Sequence, residues 1–251
     1  MQIAIDFARW ARVSPKPIRF TPGQLDALKI VAFITMCIDH TGRAFYGAES
    51  IPWMEYVGRL AFPLFSVVFA YNVVHHLRDR RKFLIYSGIF GILSQYPFSH
   101  IPFNIGPNLN PFCLNILFTF PIAYFVNMMW RISDNATTTK AWLWRFGSIV
   151  VFALGGVRMW PYSYGCEGVA LILVLIGFCR SGGFAYAGLA LFLLWAIAFK
   201  WLLMIPIIIA IVLLLSSAGR IGAKWKRFLP GGLMYWGYAG HLWLLVVLSG
   251  R

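Results

Sequence analysis

The chain alternates apolar runs with short polar segments along nearly all of its 251 residues. The apolar runs lie at about residues 25–46, 56–77, 83–98, 111–130, 143–160, 166–180, 183–199, 201–218 and 229–248. A helix needs about 20 mostly apolar residues to cross a bilayer. The pattern predicts an all-α, polytopic transmembrane helix bundle of about nine spans. Eight spans are also possible, because the sixth run is short and a tight turn at Lys200 could make the next two runs a tilted or re-entrant pair.

Composition and charge distribution support a membrane protein and predict its orientation. Hydrophobic residues make up 60% of the chain and charged residues 12%, against about 25% charged in an average soluble domain. The net charge of +14 does not indicate a nucleic-acid partner, because the basic residues are spread between apolar runs. Most of them fall on one side if the N-terminus is cytoplasmic. We therefore predict a basic cytoplasmic arm at residues 1–22, and a single transmembrane domain at residues 23–251 in contact with membrane lipids.

Two ionisable residues stand at the far end of the first apolar run. Asp39 and His40 are adjacent there, and ionisable groups at membrane depth often mark functional sites. Lys29 precedes His40 by eleven residues, which places both on one helical face about 16 Å apart along the axis. Asp39 points about 100° away from His40, so it could instead orient Arg43 at i+4. The alternative is a helix-end pair that extends to the membrane interface.

Several common chemistries are absent from the sequence. The four cysteines show no metal-binding spacing, so we expect no metal site. No phosphate-binding glycine loop and no HExxH pattern occurs, which argues against a nucleotide-driven pump and a membrane metalloprotease. No convincing internal repeat is found, which weakens a transporter built on symmetric halves.

Six segments carry a resemblance to a known family. They are LDALKIVAFITMCIDHTG from Leu25, VGRLAFPLFSVVFAYN from Val57, ILSQYPF from Ile92, NILFTF from Asn115, YGCEGVALIL from Tyr164 and YWGYAGHLWLL from Tyr235. Together they resemble the TraX family, over nearly the whole chain. The resemblance implies a multi-pass protein of the bacterial inner membrane that serves conjugation and N-acetylates the N-terminal residue of F-type pilin. It implies pilin as the protein partner and acetyl-CoA as the co-substrate.

The first helix also resembles, more distantly, membrane acyltransferases of the acyltransferase-3 type. In those enzymes a basic residue precedes a catalytic histidine by eleven positions, as Lys29 precedes His40 here. They also carry an RxxR element that contacts the phosphates of coenzyme A, and Arg78 and Arg81 have that spacing. The resemblance implies that Lys29, Arg78 and Arg81 bind acetyl-CoA. A basic loop of this kind can also reflect topology alone, and those enzymes usually have ten spans.

Acetyl transfer to an amine requires a base, since an α-amino group with a pKa of about 7.7–8.0 is mostly protonated at neutral pH. We assign this role to His40, because imidazole titrates near neutrality, and keep Asp39 as a second catalytic candidate. Asn115, Tyr71 and Asn72 are candidates for stabilising the oxyanion, although each could equally form a helix-to-helix hydrogen bond. His241 matches a family position and could face the same cavity or be a core residue.

The predicted function is therefore N-acetylation of a pilin subunit by acetyl-CoA within the membrane. The alternatives are a transporter in which Asp39 and His40 relay protons, and a structural or exclusion protein of the conjugation system. The sequence leaves the oligomeric state open, and it does not decide between direct transfer and an acetyl-enzyme intermediate.

Overall fold

The computed structural model describes residues 18–47, 51–77, 79–101, 113–159, 163–197 and 202–250. Over these residues the regular structure is helical and contains no strand, which confirms the all-α prediction. The helices are α1 (Pro22–Tyr46), α2 (Pro52–Gly58), α3 (Ala61–His75), α4 (Arg80–His100), α5 (Thr119–Asp134), α6 (Thr138–Met159), α7 (Gly165–Ser181), α8 (Phe184–Ile197), α9 (Met204–Leu214) and α10 (Leu233–Leu248). A 3-10 turn at Ile116–Phe118 precedes α5. Each of the nine predicted runs contains a helix, and the second run contains the break between α2 and α3.

Three helical stretches are long and apolar enough to cross a membrane, among the residues described. They are Pro52–His75, Ile116–Asp134 and Thr138–Met159, and they identify a membrane protein. Helices α8, α9 and α10 are apolar but shorter. The 11 residues of α9 extend about 16 Å, well below the roughly 30 Å of a hydrocarbon core. The number of full spans and their orientation therefore stay predictions.

Helix α1 begins at a capping box that also anchors a distant loop. Thr21 Oγ1 accepts a hydrogen bond from the Gln24 backbone N–H, and Gln24 Oε1 accepts one from the Thr21 backbone N–H. The same two side chains donate to the carbonyl oxygens of Gly222 and Ile221, at 3.1 and 2.6 Å. The cap therefore fixes the start of α1 and holds the loop between α9 and α10 against it. Of the predicted N-terminal arm, only residues 18–22 are described.

Helix α1 lies at the centre of the helix packing. It contacts α2, α3 and α10, while α3 also packs on α7 and α10 on α4. One buried cluster joins α1, α3 and α7 through Leu28, Leu64 and Leu171. A second cluster joins α1, α4 and α10 through residues that include Met36 and Leu242. The two clusters therefore place apolar side chains on both sides of α1.

Candidate active site in the central cavity

A cavity of about 470 Å³ extends along α1. Its volume is within the usual range for small-molecule sites, and apolar side chains such as Phe65, Val68 and Phe69 form much of its wall. Lys29 and Arg43 both line it, and 14 residues of helix separate them by about 21 Å. We call the part lined by Asp39, His40, Arg43, Glu55 and Arg59 the network end, and the part lined by Lys29, Arg227, Leu229, Pro230 and Gly232 the loop end.

At the network end, His40 is buried and hydrogen-bonded to the histidine of α10. His40 Nδ1 lies 2.7 Å from His241 Nε2, and His241 Nδ1 lies 3.0 Å from the carbonyl oxygen of Gly237. A carbonyl oxygen only accepts, so the partners assign the proton of neutral His241 to Nδ1. His241 Nε2 then accepts, and His40 Nδ1 donates. The basic lone pair of His40 is therefore on Nε2.

The surrounding rings fix the orientation of this histidine pair. The two imidazole planes are 8° from parallel, with centroids 5.0 Å apart. Phe33 and Tyr238 present their rings edge-on to His241 at 5.7 and 5.6 Å. His241 was predicted either to face the cavity or to be a core residue. The structure places it in the packed core and in direct contact with His40.

A chain of ion pairs occupies the same end of the cavity. Arg43 lies 3.1 Å from Asp39 and 3.1 Å from Glu55, and Arg59 lies 2.7 Å from Glu55. The network contains two carboxylates and two guanidinium groups, so its net formal charge is zero. The interpretation that Asp39 orients Arg43 is confirmed. Gly58 permits the close approach of α2, because a Cβ at that position would collide with the side chain of Asp39.

Tyr164 also lines the cavity, and its backbone conformation is rare for a residue other than glycine. Its φ of 65° places it in the left-handed region at the N-cap of α7. This conformation costs a non-glycine residue about 1–3 kcal/mol and often occurs at functional sites. The ring stacks on Phe62 at 4.4 Å, and the phenol interacts with Arg59. Sequence reasoning missed Tyr164, since nothing local marks a tyrosine for positive φ.

At the loop end, Asp26 fastens the loop between α9 and α10 to α1. Its Oδ1 lies 2.8 Å from Lys29 Nζ, and its Oδ2 accepts hydrogen bonds of 3.0 Å from the backbone N–H groups of Phe228 and Leu229. Asp26 is fully buried in this arrangement. The carboxylate therefore positions both Lys29 and the neighbouring loop around the cavity.

Two polar residues expected in the site have structural contacts instead. Tyr71 is in the core, where its hydroxyl bonds to the backbone of Phe20, and it does not line the described cavity. Asn115 is fully buried, caps the 3-10 turn and bonds to Gln95. Asn72, by contrast, lines the cavity. The three candidates are therefore not brought together.

The predicted phosphate-binding pair is only partly described. Arg78 is outside the described residues. Arg81 is exposed in the first turn of α4 and is not among the residues that line the described cavity. Arg227 does line the cavity, and sequence reasoning read its basic segment only as a topology signal. Over the described residues, no group of three or more histidine, cysteine or acidic side chains could hold a metal ion.

Comparison with known proteins identifies the family. Residues 24–249 match the sequence profile of the family described as TraX protein, which includes every residue of the cavity wall. The chain belongs to the TraX family. It is 29% identical to Protein TraX of Escherichia coli strain K12 over 244 residues, which cover 92% of this chain and 89% of that protein. A second Protein TraX from Escherichia coli shows the same identity and coverage. No solved structure is significantly similar to the chain.

Proposed function

We propose that this member of the TraX family is an inner-membrane acetyltransferase. It transfers the acetyl group of acetyl-CoA to the N-terminal amine of a conjugative pilin subunit, with His40 as the general base. One observation carries the proposal: the imidazole of His40, whose lone pair is on Nε2, lines the same cavity as the cation Lys29, about 16 Å away along α1. The substrate and the donor come from the family resemblance described above.

The reaction requires a proton acceptor at a fixed position. The pilin ammonium group first releases one proton to water and becomes a neutral amine. His40 Nε2 then takes a second proton from the nitrogen as it attacks the thioester carbonyl carbon. The tetrahedral intermediate then collapses, the carbon–sulfur bond breaks, and the leaving thiolate recovers the proton from the imidazolium. Throughout the reaction, His241 Nε2 accepts a hydrogen bond from the Nδ1–H group of His40. This contact keeps Nε2 of His40 as the reactive nitrogen.

The two ends of the cavity fit the two substrates. The loop end would hold the phosphates of acetyl-CoA through charge-assisted hydrogen bonds, with Lys29 as a contact and Arg78 and Arg81 as candidates from the resemblance. The apolar wall would surround the pantetheine arm. With the predicted orientation, the loop end faces the cytoplasm, where acetyl-CoA is made, and the network end faces the side from which pilin approaches.

Stabilisation of the oxyanion falls to the network end in this proposal. The polar atoms of Tyr71 and Asn115 already serve backbone and side-chain partners. Arg59 and Tyr164 line the same cavity as His40, and a guanidinium or phenol there can donate to a developing negative charge. We therefore assign the oxyanion contact to these two residues, and keep Asn72 as a binding candidate further along the wall.

The contacts do not favour the transporter alternative. A proton relay through Asp39 and His40 needs the two side chains to exchange a proton, but Asp39 is bonded to Arg43. The hydrogen-bonded chain from His40 continues to His241 and ends on the carbonyl oxygen of Gly237, which cannot pass a proton onward. This geometry suits a held base better than a proton path.

The test is the mass of pilin from cells that carry the His40→Gln variant. We expect pilin to lack the mass of one acetyl group while the variant accumulates normally in the membrane. His100→Gln is the matched control, because His100 is exposed on α4 and bonds only locally, to Ser99 and the Tyr96 carbonyl. Fully acetylated pilin in the His40→Gln strain would refute the proposal. A changed solute flux with unchanged pilin mass would indicate a transporter.

A further inference from the structure

Arg227 is a cation that lines the loop end of the cavity, and the sequence did not indicate a role for it. Its Nε donates to the carbonyl of Leu229 at 3.3 Å, and over the described residues it has no acidic partner. Lys29, the other cation at the loop end, already shares its charge with Asp26 at 2.8 Å. The loop end therefore carries one positive charge in excess, and this charge is on Arg227.

The loop that carries Arg227 is anchored on both sides of it. Upstream, the carbonyls of Ile221 and Gly222 accept hydrogen bonds from the two capping-box side chains of α1. Directly downstream, the N–H groups of Phe228 and Leu229 donate to the buried Asp26 carboxylate. Trp225 packs so closely on Gly23 that no Cβ would fit there. The backbone at Arg227 is therefore held in place before a ligand binds, which reduces the conformational entropy lost on binding.

We infer that Arg227 is a phosphate-binding residue for the thioester donor at the loop end of the cavity. The inference rests on the proposed function and identifies which residue recognises the coenzyme. Arginine suits this role because its planar guanidinium can donate two parallel hydrogen bonds to a phosphate group. Arg81 is less suited, since its exposed position on α4 is not part of the cavity wall.

The chain provides a matched control one residue away. Lys226 is exposed on the same loop and carries the same charge, but it does not line the cavity. The variants are therefore Arg227→Gln and Lys226→Gln, in full-length protein purified in a neutral detergent. Coenzyme A is the probe, because its binding requires no turnover and no pilin. Titration calorimetry gives the dissociation constant.

We expect Arg227→Gln to raise the dissociation constant of coenzyme A about 10- to 100-fold, the range for a lost hydrogen bond to a charged group. Lys226→Gln should stay within about twofold of the parent, since its side chain does not line the cavity. Pantetheine, which lacks phosphate, should bind all three proteins equally. Parent-like binding of coenzyme A by Arg227→Gln would overturn the inference and leave the proposed function intact.

Two further outcomes would also overturn it. If Arg227→Gln weakened pantetheine as much as coenzyme A, the residue would be supporting the fold rather than a phosphate. If phosphatidylglycerol stabilised the parent but not Arg227→Gln, while both bound coenzyme A equally, the arginine would hold a lipid headgroup. A parent protein that bound no coenzyme A at all would remove both this inference and the donor in the proposed function.

Discussion

The two ends of the cavity are built on opposite physical principles, although α1 contributes to both. At the network end, four charged side chains neutralise one another, and between 6 and 28% of each is exposed. At the loop end, the charge is unbalanced and the cation Arg227 is exposed on a loop held by hydrogen bonds. In the proposed function, the network end provides fixed geometry where bonds change, and the loop end provides accessible charge where acetyl-CoA enters and leaves.

The largest effect should come from removing the cation at the centre of the network. Arg43→Met leaves the carboxylates of Asp39 and Glu55 without their shared partner in a buried setting. Breaking a buried ion pair from one side costs about 3–5 kcal/mol. We expect that loss in the free energy of unfolding, measured by denaturant titration of the detergent-solubilised protein.

Arg145→Met is the control for Arg43→Met. Arg145 pairs with Asp134 at 3.7 Å, and both side chains are well exposed, so the loss should stay below about 1 kcal/mol. Equal destabilisation by the two variants would mean that the network tolerates the loss of a cation as well as an exposed ion pair does. The network end would then not depend on mutual neutralisation of its charges.

A smaller effect is expected at His241, and it should appear in turnover. His241→Leu leaves the His40 Nδ1 proton without its acceptor and no longer selects the tautomer with Nε2 free of a proton. An unmet buried donor costs about 1–3 kcal/mol, which corresponds to roughly 5- to 150-fold in rate. We expect kcat to fall within that range while KM for acetyl-CoA is unchanged. His241→Gln should recover part of kcat, because its Oε1 can accept the same proton.

A purely structural role for His241 predicts another pattern. Both His241 variants would then lose stability and turnover together, and glutamine would rescue neither quantity. Thermal unfolding of the same preparations, measured next to the kinetics, separates the two cases.

The sequence predicted the helices well, because a continuous apolar run of this length is typical of a buried helix. It also predicted the pairing of Asp39 with Arg43, since residues four apart on a helix are neighbours. It could not bring His241 to His40, because their contact joins α1 and α10 across 201 positions. Periodicity defines the face of a helix but not the partner that covers it.

The loop end was harder to predict for a different reason. Arg227 lies in a short basic segment of the kind that normally reports only membrane orientation. Its place on the cavity wall depends on Asp26, whose carboxylate binds a loop about 200 residues later. Such a contact leaves no local pattern in the sequence. Tyr71 and Asn115, by contrast, form hydrogen bonds with the backbone of neighbouring elements, which their positions in the sequence did not indicate.

Asp26→Asn tests whether the loop end can be loosened independently. The amide keeps one acceptor oxygen but loses the negative charge that receives two N–H groups and pairs with Lys29. We expect the free energy of local opening over residues 221–229 to fall by about 1 kcal/mol, so that their amide hydrogens exchange faster. KM for acetyl-CoA should rise a few-fold. The network end should keep its exchange rates.

Asp79→Asn is the matched control for Asp26→Asn, since Asp79 also accepts a backbone hydrogen bond, from Lys82, but at an exposed helix start. It should change neither the loop exchange nor KM. Faster exchange at both ends of the cavity in Asp26→Asn would show that they are one cooperative unit.

The smallest expected effect is that of salt, and it addresses the comparison without a mutation. Between 0.1 and 1 M salt the Debye length falls from about 10 Å to about 3 Å, which screens exposed charges far more than buried ones. KM for acetyl-CoA should therefore rise several-fold, because the phosphates are held by accessible cations, while kcat should barely change, because His40, His241 and the Arg43 network are shielded from ions. In Arg227→Gln the dependence of KM on salt should be flatter. If kcat fell as KM rose, ions would be reaching the network end, and its burial could not be what keeps the base in position.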